Sequence, residues 1–148
     1  MRNILFLCTG NSARSIMAEA YMNHAGRGRW RAYSAGSKPV GAPNPLALTT
    51  LTAHDVDVGE PRSKSWDEFA APGAPPLDVV VTVCDNAAAE TCPVWPTRPG
   101  SSPPRKLHWS FPDPAAAEGS DADRRAVFES VFGAIAARID RFLAEERA

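Results

Sequence analysis

Leu7-Cys8-Thr9-Gly10-Asn11-Ser12-Ala13-Arg14-Ser15 joins a strongly apolar run to a segment of helical periodicity. Before it, Ile4-Leu5-Phe6-Leu7 is short, continuous and apolar, the pattern of a strand buried on both faces of a parallel sheet. After it, Ile16, Met17, Ala20, Tyr21 and His24 recur at helical spacing until Gly26 ends the pattern. Ligands of open α/β sheets bind beyond the carboxyl ends of the strands, and a helix N-terminus there offers unpaired N–H groups and a partial positive charge. The loop from Cys8 to Arg14 lies where those two features meet.

Further along the chain the same alternation returns. Asp78-Val79-Val80-Val81-Thr82-Val83 is a second buried-strand run, and like the first it ends at a cysteine, Cys84. Ala32-Tyr33-Ser34 and Lys106 to Trp109 read as further short strands. Pro45 to His54 reads as a helix with Asn44 as N-cap and Pro45 at its first position. In the last helix Val127, Val131, Ile135, Ile139 and Phe142 form one stripe, and Ser120 to Asp123 resembles a capping box at its start. Strands alternating with helices predict an α/β sandwich, a single domain over residues 1–148 with no internal repeat. The stretches Ala70 to Leu77 and Pro93 to Pro104 break the rhythm. Asp85 to Arg105 therefore reads as a long connection that holds Cys92, and such connections tend to carry function.

Composition narrows the partners. Sixteen Lys plus Arg against 17 Asp plus Glu, with a pI near 6.3, leave no broad basic face for nucleic acid or an acidic membrane surface. The apolar N-terminal run is too short for a signal-peptide core or a membrane span, which points to a cytoplasmic protein. Three cysteines in 148 residues are too few for a secreted disulfide scaffold; in a reducing compartment they are catalytic, redox-active or buried.

The loop supplies the parts of a tetrahedral-oxyanion site. Backbone N–H groups of Thr9, Gly10, Asn11, Ser12, Ala13, Arg14 and Ser15 could turn inward as a nest, and the Arg14 fork can bind two anion oxygens at once. The same field acts on Cys8. A thiol at a helix N-terminus beside an arginine is expected to fall to the range ~4 to 7 and become a nucleophilic thiolate. Ser15 is placed to donate a hydrogen bond to that sulfur, and Asn11 tolerates a left-handed backbone. The competing interpretation is a buried, inert Cys8, a surface Arg14 and a Ser12 that only caps the helix.

LCTGNSARS, the later YSAG (Tyr33–Gly36) and HWSFPDP (His108–Pro114) resemble the low-molecular-weight tyrosine phosphatase superfamily, and more narrowly its arsenate reductases. The resemblance implies a central four-stranded parallel sheet flanked by helices, with a catalytic acid at Asp113 between Pro112 and Pro114. It implies arsenate as substrate, with phosphate or sulfate as competing oxyanions. It further implies a cysteine relay: Cys8 attacks arsenate, Cys84 attacks Cys8, and Cys92 attacks Cys84. Thioredoxin is the reductant implied, with glutaredoxin or another low-molecular-weight thiol used by some relatives. The alternative function on the same loop is hydrolysis of tyrosine phosphate or other phosphate monoesters, for which Cys84 and Cys92 would be surplus. Ala115, Ala116, Pro39 and Val40 stand where such phosphatases place aromatics.

By the same resemblance, Asn11, Glu19 and Ser34 match positions that hold potassium in some reductases, while Lys64 falls where an acidic ligand is expected. An ammonium there could replace the cation and brace Asn11 through Glu19; a solvated lysine is the alternative. No resident metal or other cofactor is required. His108 and Trp109 read as supports of the acid loop, and Trp30, Trp66 and Trp95 as packing or surface residues.

Overall fold

A computed structural model describes residues 1–84, 95 and 103–146. Within them lie four strands, β1 (Arg2–Leu7), β2 (Trp30–Ala35), β3 (Val79–Thr82) and β4 (Arg105–His108). They form one parallel sheet in the order β2-β1-β3-β4. β1 is thus paired on both edges: Ile4 faces Ala32 and Val79, and Leu7 faces Ala35 and Thr82. With neighbours on both edges and packing on both faces, Ile4 to Leu7 are fully buried, which is why the run lacks polar alternation. The chain leaves β1 for one neighbour and later returns to the other, so the topological switch point falls between β1 and β3. Cys8 and Cys84 follow the ends of those two strands.

Successive β1 side chains serve opposite faces. Ile4, Phe6 and Cys8 join the larger core, with Met17 and Met22 of α1 (Arg14–Ala25), Leu51 of α2 (Pro45–Ala53) and Phe128, Ile135, Ile139 and Phe142 of the last helix. Leu5 and Leu7 join a smaller cluster with Ala35, Phe69, Leu77, Val80 and Trp95. Phe69 belongs to α3 (Asp67–Ala70), a single turn too short for periodicity to reveal. Trp30 packs on Phe142 with Arg2 over its ring, and Trp109 packs on Phe6 and Phe142 with Arg138 over its ring. Trp66 lies edge-on to Trp95.

The capping signals operate as read. Asn44 accepts from Leu46 N–H at 2.9 Å with Pro45 in the first turn, although α2 ends at Ala53 and His54 is its C-cap. The last helix, α4 (Asp121–Glu145), opens with a reciprocal Ser120 and Asp123 capping box. Two side chains depart from the expected stripes. Val127 is 36% exposed, and Phe128, Phe132 and Leu143 enter the core instead, because a strict four-residue step drifts off the 3.6-residue helical face. His24 is exposed in the last turn of α1, while Met22 is buried. Among the described residues no helix is long and apolar enough to cross a membrane.

Phe142 touches both Trp30 and Trp109 and is 1% exposed. Phe142→Ala should lower the unfolding free energy by about 3–5 kcal/mol in a denaturant titration, the cost of a large aromatic cavity; a loss under 1 kcal/mol would mean that α4 repacks freely.

Candidate active site

The loop between β1 and α1 is held by its carbonyl groups. Thr9 O accepts from Lys38 N–H at 3.0 Å, Gly10 O from Val40 N–H and Ser63 Oγ at 3.1 Å each, and Ser12 O from Asn44 N–H at 2.8 Å. In a trans peptide the C=O and N–H point opposite ways, and no peptide here is cis. Turning these carbonyls outward therefore turns the N–H groups of Gly10, Asn11 and Ala13 toward the loop centre. At the start of α1, the N-cap Ala13 has no side-chain cap and the first turn carries no acidic residue. Ser12 is therefore not the helix cap. The first-turn N–H groups, which have no intrahelical acceptor, are thus available to an anion.

Gly36 makes this packing sterically feasible. A Cβ there would lie 2.4 Å from Thr9 O and 2.5 Å from Cys8 O, closer than any side chain is tolerated. Its own N–H and C=O bond to Lys64 O and Trp66 N–H, fixing the segment that carries Lys64.

Asn11 adopts φ 46°, the left-handed conformation, and is fully buried. Its Nδ2 donates to Ser15 Oγ at 2.8 Å and Ser34 Oγ at 3.0 Å, and its Oδ1 accepts from Lys64 N–H at 2.8 Å. Ser34 in turn donates to Glu19. Lys64 Nζ sits 3.6 Å from Glu19 Oε1 and donates to Arg62 O at 3.1 Å, and the residue is 8% exposed. A solvated lysine is thereby replaced by a buried ammonium that neutralises Glu19 behind the loop.

Arg14 Nη1 donates to Phe111 O at 3.0 Å, and Nη2 lies 3.9 Å from Asp113 Oδ2. The guanidinium is thus aimed by the segment Phe111–Asp113. Asp113 begins the 3-10 turn Pro114–Ala116, and its Oδ1 accepts from Ala115 N–H at 3.0 Å, so it is a turn residue and also faces Arg14. His108 Nδ1 pairs with Thr82 Oγ1 at 2.7 Å, and Trp109 N–H bonds Thr82 O; both tie the acid loop to the end of β3.

Cys84 is the decisive placement. It is buried at the end of β3, and its sulfur accepts from Thr9 N–H at 3.4 Å, with Thr9 Oγ1 at 3.8 Å. That bond holds the Cys84 thiol against the residue next to Cys8, where the two side chains interact. That contact first, and burial second, push the Cys8 thiol up from its ordinary value, against the Arg14 charge and the Gly10 N–H, which pull it down. The expectation of a depressed Cys8 is corrected accordingly: without a bound oxyanion, the neighbouring Cys84 and burial outweigh the Arg14 charge and hold the thiol up. Ser15 is buried in the same network. Its oxygen accepts from Asn11 Nδ2, a bond that leaves the hydroxyl proton unused. Cys92 lies outside the described residues.

Three contributors went unread in the sequence. Gly36 carried a signal, a glycine directly after a strand, whereas the backbone duty of Asn44 was hidden behind its capping role. Ser63 had no local signal at all. Among the described residues, no group of three or more His, Cys, Asp or Glu could hold a metal ion.

Removing the Cys84 side chain removes the largest upward influence on Cys8. Cys84→Ala should shift the pH profile of Cys8 alkylation by iodoacetamide to lower pH, followed by peptide mass mapping; an unchanged or upward shift would show that the pair is uncoupled.

The low molecular weight phosphotyrosine protein phosphatase family model matches residues 3–147. An arsenate reductase of Halalkalibacterium halodurans is 40% identical over 139 residues, 94% of this chain and 93% of that protein. The arsenate reductase of Bacillus subtilis is 36% identical over the same shares. A solved arsenate reductase in its phosphate binding state superposes with a TM-score of 0.75 at 26% identity, covering 98% of each chain. The chain therefore belongs to the low molecular weight phosphotyrosine protein phosphatase family, and these curated relatives within it are arsenate reductases.

Proposed function

We propose that this protein reduces arsenate to arsenite, with phosphate and sulfate as competing anions. The observation that carries the reading is Cys84, a second buried thiol whose sulfur accepts from the Thr9 N–H of the anion loop, beside Cys8. A hydrolase needs one thiolate, an arginine and an acid, and gains nothing from a second thiol there. The relatives' names point the same way. The mouth of the site supports it as well: Val40, 67% exposed, lies beside Gly10, and Ala115 and Ala116 follow Asp113, so at these positions no aromatic side chain awaits a phenyl ester.

The oxyanion rests on the N–H groups of residues 9–15 with its oxygens on the Arg14 fork. Cys8 attacks arsenic as its thiolate, its proton passing to an oxygen of the bound arsenate. A sulfur–arsenic bond forms and an arsenic–oxygen bond breaks. Asp113 passes a proton to the departing oxygen, which leaves as water. With the Cys8 sulfur now bound, Cys84 is the group that ionises, and the Thr9 N–H stabilises its thiolate. It attacks the Cys8 sulfur; a disulfide forms, the sulfur–arsenic bond breaks, and its electron pair reduces arsenic from the +5 to the +3 state. Cys92 then attacks Cys84, freeing Cys8 and leaving a Cys84 to Cys92 disulfide. Two electrons and two protons from an external thiol reductant close the cycle. Thioredoxin is the reductant proposed, glutaredoxin or a small thiol the alternatives, and the cytoplasm the compartment.

Behind the loop, the Lys64 ammonium takes the place of a potassium ion, bracing Asn11 through Glu19 and Ser34.

Single-turnover arsenite quantification with disulfide mapping tests the relay. Cys92→Ser should release about one arsenite per enzyme and stop as a Cys8 to Cys84 disulfide, whereas Cys84→Ser should release none with thioredoxin. Normal turnover of Cys84→Ser would mean that an external thiol attacks the Cys8 adduct directly. Strong ester hydrolysis without arsenite release would favour the phosphatase.

For the cation site, exchanging sodium for potassium should alter neither melting temperature nor turnover of the wild type, while Lys64→Asp should make both respond. A wild type stabilised by potassium would reject the substitution.

A further inference from the structure

The anion loop depends on its outward carbonyls, and one of them receives a side-chain donor. Gly10 O accepts from Val40 N–H and from Ser63 Oγ, each at 3.1 Å. Ser63 Oγ also accepts from Gly41 N–H at 3.2 Å. The sense of these bonds is unambiguous, because a backbone N–H only donates and a carbonyl only accepts. Ser63 therefore spends its single proton on Gly10 O, and its oxygen pins the segment that follows β2. The next residue, Lys64, gives its N–H to the Asn11 side chain. The pair Ser63-Lys64 thus holds the carbonyl of the Gly10–Asn11 peptide and the Asn11 side chain that follows it.

We propose that Ser63 is a positioning residue for oxyanion binding, acting through the Gly10–Asn11 peptide. Donors on a carbonyl polarise its amide and strengthen the N–H on the other side. Two donors on Gly10 O make the Asn11 N–H a stronger donor toward the loop centre. The left-handed φ of 46° at Asn11, locked by its buried side chain, keeps that N–H from turning away. Ser63 touches no reacting atom. Its effect falls on affinity for the anion rather than on the bond-making steps that follow. The assignment rests on reading residues 8–14 as an oxyanion site, and its test is run on inorganic phosphate so that it does not require arsenate chemistry.

Calorimetric titration with phosphate compares the wild type with Ser63→Ala, Ser63→Thr and Ser63→Cys. Losing one hydrogen bond should weaken phosphate about fivefold in Ser63→Ala. Ser63→Thr should restore it to within about twofold of the wild type, since the hydroxyl returns, and Ser63→Cys, a weaker donor, should fall between. In single turnover, Ser63→Ala should need about fivefold more arsenate for half-maximal rate, with the saturated rate unchanged. Should Ser63→Ala not fold, the Thr and Cys variants carry the comparison. Wild-type phosphate affinity in folded Ser63→Ala or Ser63→Cys, or equal weakening in Thr and Ala, overturns the assignment. A wild type that binds phosphate but releases no arsenite sinks the reductase reading alone.

Discussion

The parallel pairing of β1 with β3 is the constraint from which the chemistry of this protein follows. A cysteine follows each strand within two residues, and neighbouring parallel strands lie about 4.8 Å apart, so the two thiols are delivered to one region from positions 76 residues distant in sequence. Because the switch point lies between the same strands, the crevice where an α/β sheet binds its ligand is also the place where the sulfurs meet. Neither cysteine needs a special backbone conformation to arrive there. The low-dielectric burial of both β strands then makes the sulfur pair sensitive to every nearby donor: the Arg14 charge and the Gly10 N–H act on Cys8, and the Thr9 N–H on Cys84.

Around that point, the protein works by satisfying carbonyls so as to aim amides. A loop of six or seven residues has no secondary structure to organise its peptide groups, yet its inward face must present N–H and not C=O. The solution is external. The segment from Gly36 to Asn44 and Ser63 supply donors to Thr9, Gly10 and Ser12, and the absence of a Cβ at Gly36 lets this segment approach. Asn11 is the one residue forced into a left-handed turn, and it carries the densest side-chain bonding, shared with Ser15, Ser34 and Lys64. The backbone strain and the hydrogen bonds that offset it sit on the same residue.

The buried Lys64 shows how such a network tolerates charge. Glu19 and Lys64 lie at the back of the loop, and each removes the cost of burying the other. Replacing either alone would strand a charge behind the loop, so the two act as a unit. Arg14 is treated differently. It is held by a neutral carbonyl at Phe111 and only loosely by Asp113, which leaves its positive charge available to a ligand.

Local physics was legible in the sequence. The apolar runs at Ile4–Leu7 and Val79–Val83, the Asn44 cap, the capping box at Ser120 and the Cys8 to Arg14 loop each depend on neighbours within a few residues, and that is the range over which strand burial, capping and turn chemistry operate. The helical stripe of α4 was read with the wrong phase at Val127, because which face of a helix is buried is settled by what packs on it. The upward push on Cys8 and the roles of Gly36 and Ser63 were not legible, since each depends on an atom brought from another element: Cys84 from beyond β3, Thr9 and Gly10 carbonyls against distant segments. A sequence specifies which donors, acceptors and thiols exist, and hydrogen bonds and proton sharing act only over a few ångströms. Only the tertiary fold decides which of them come that close.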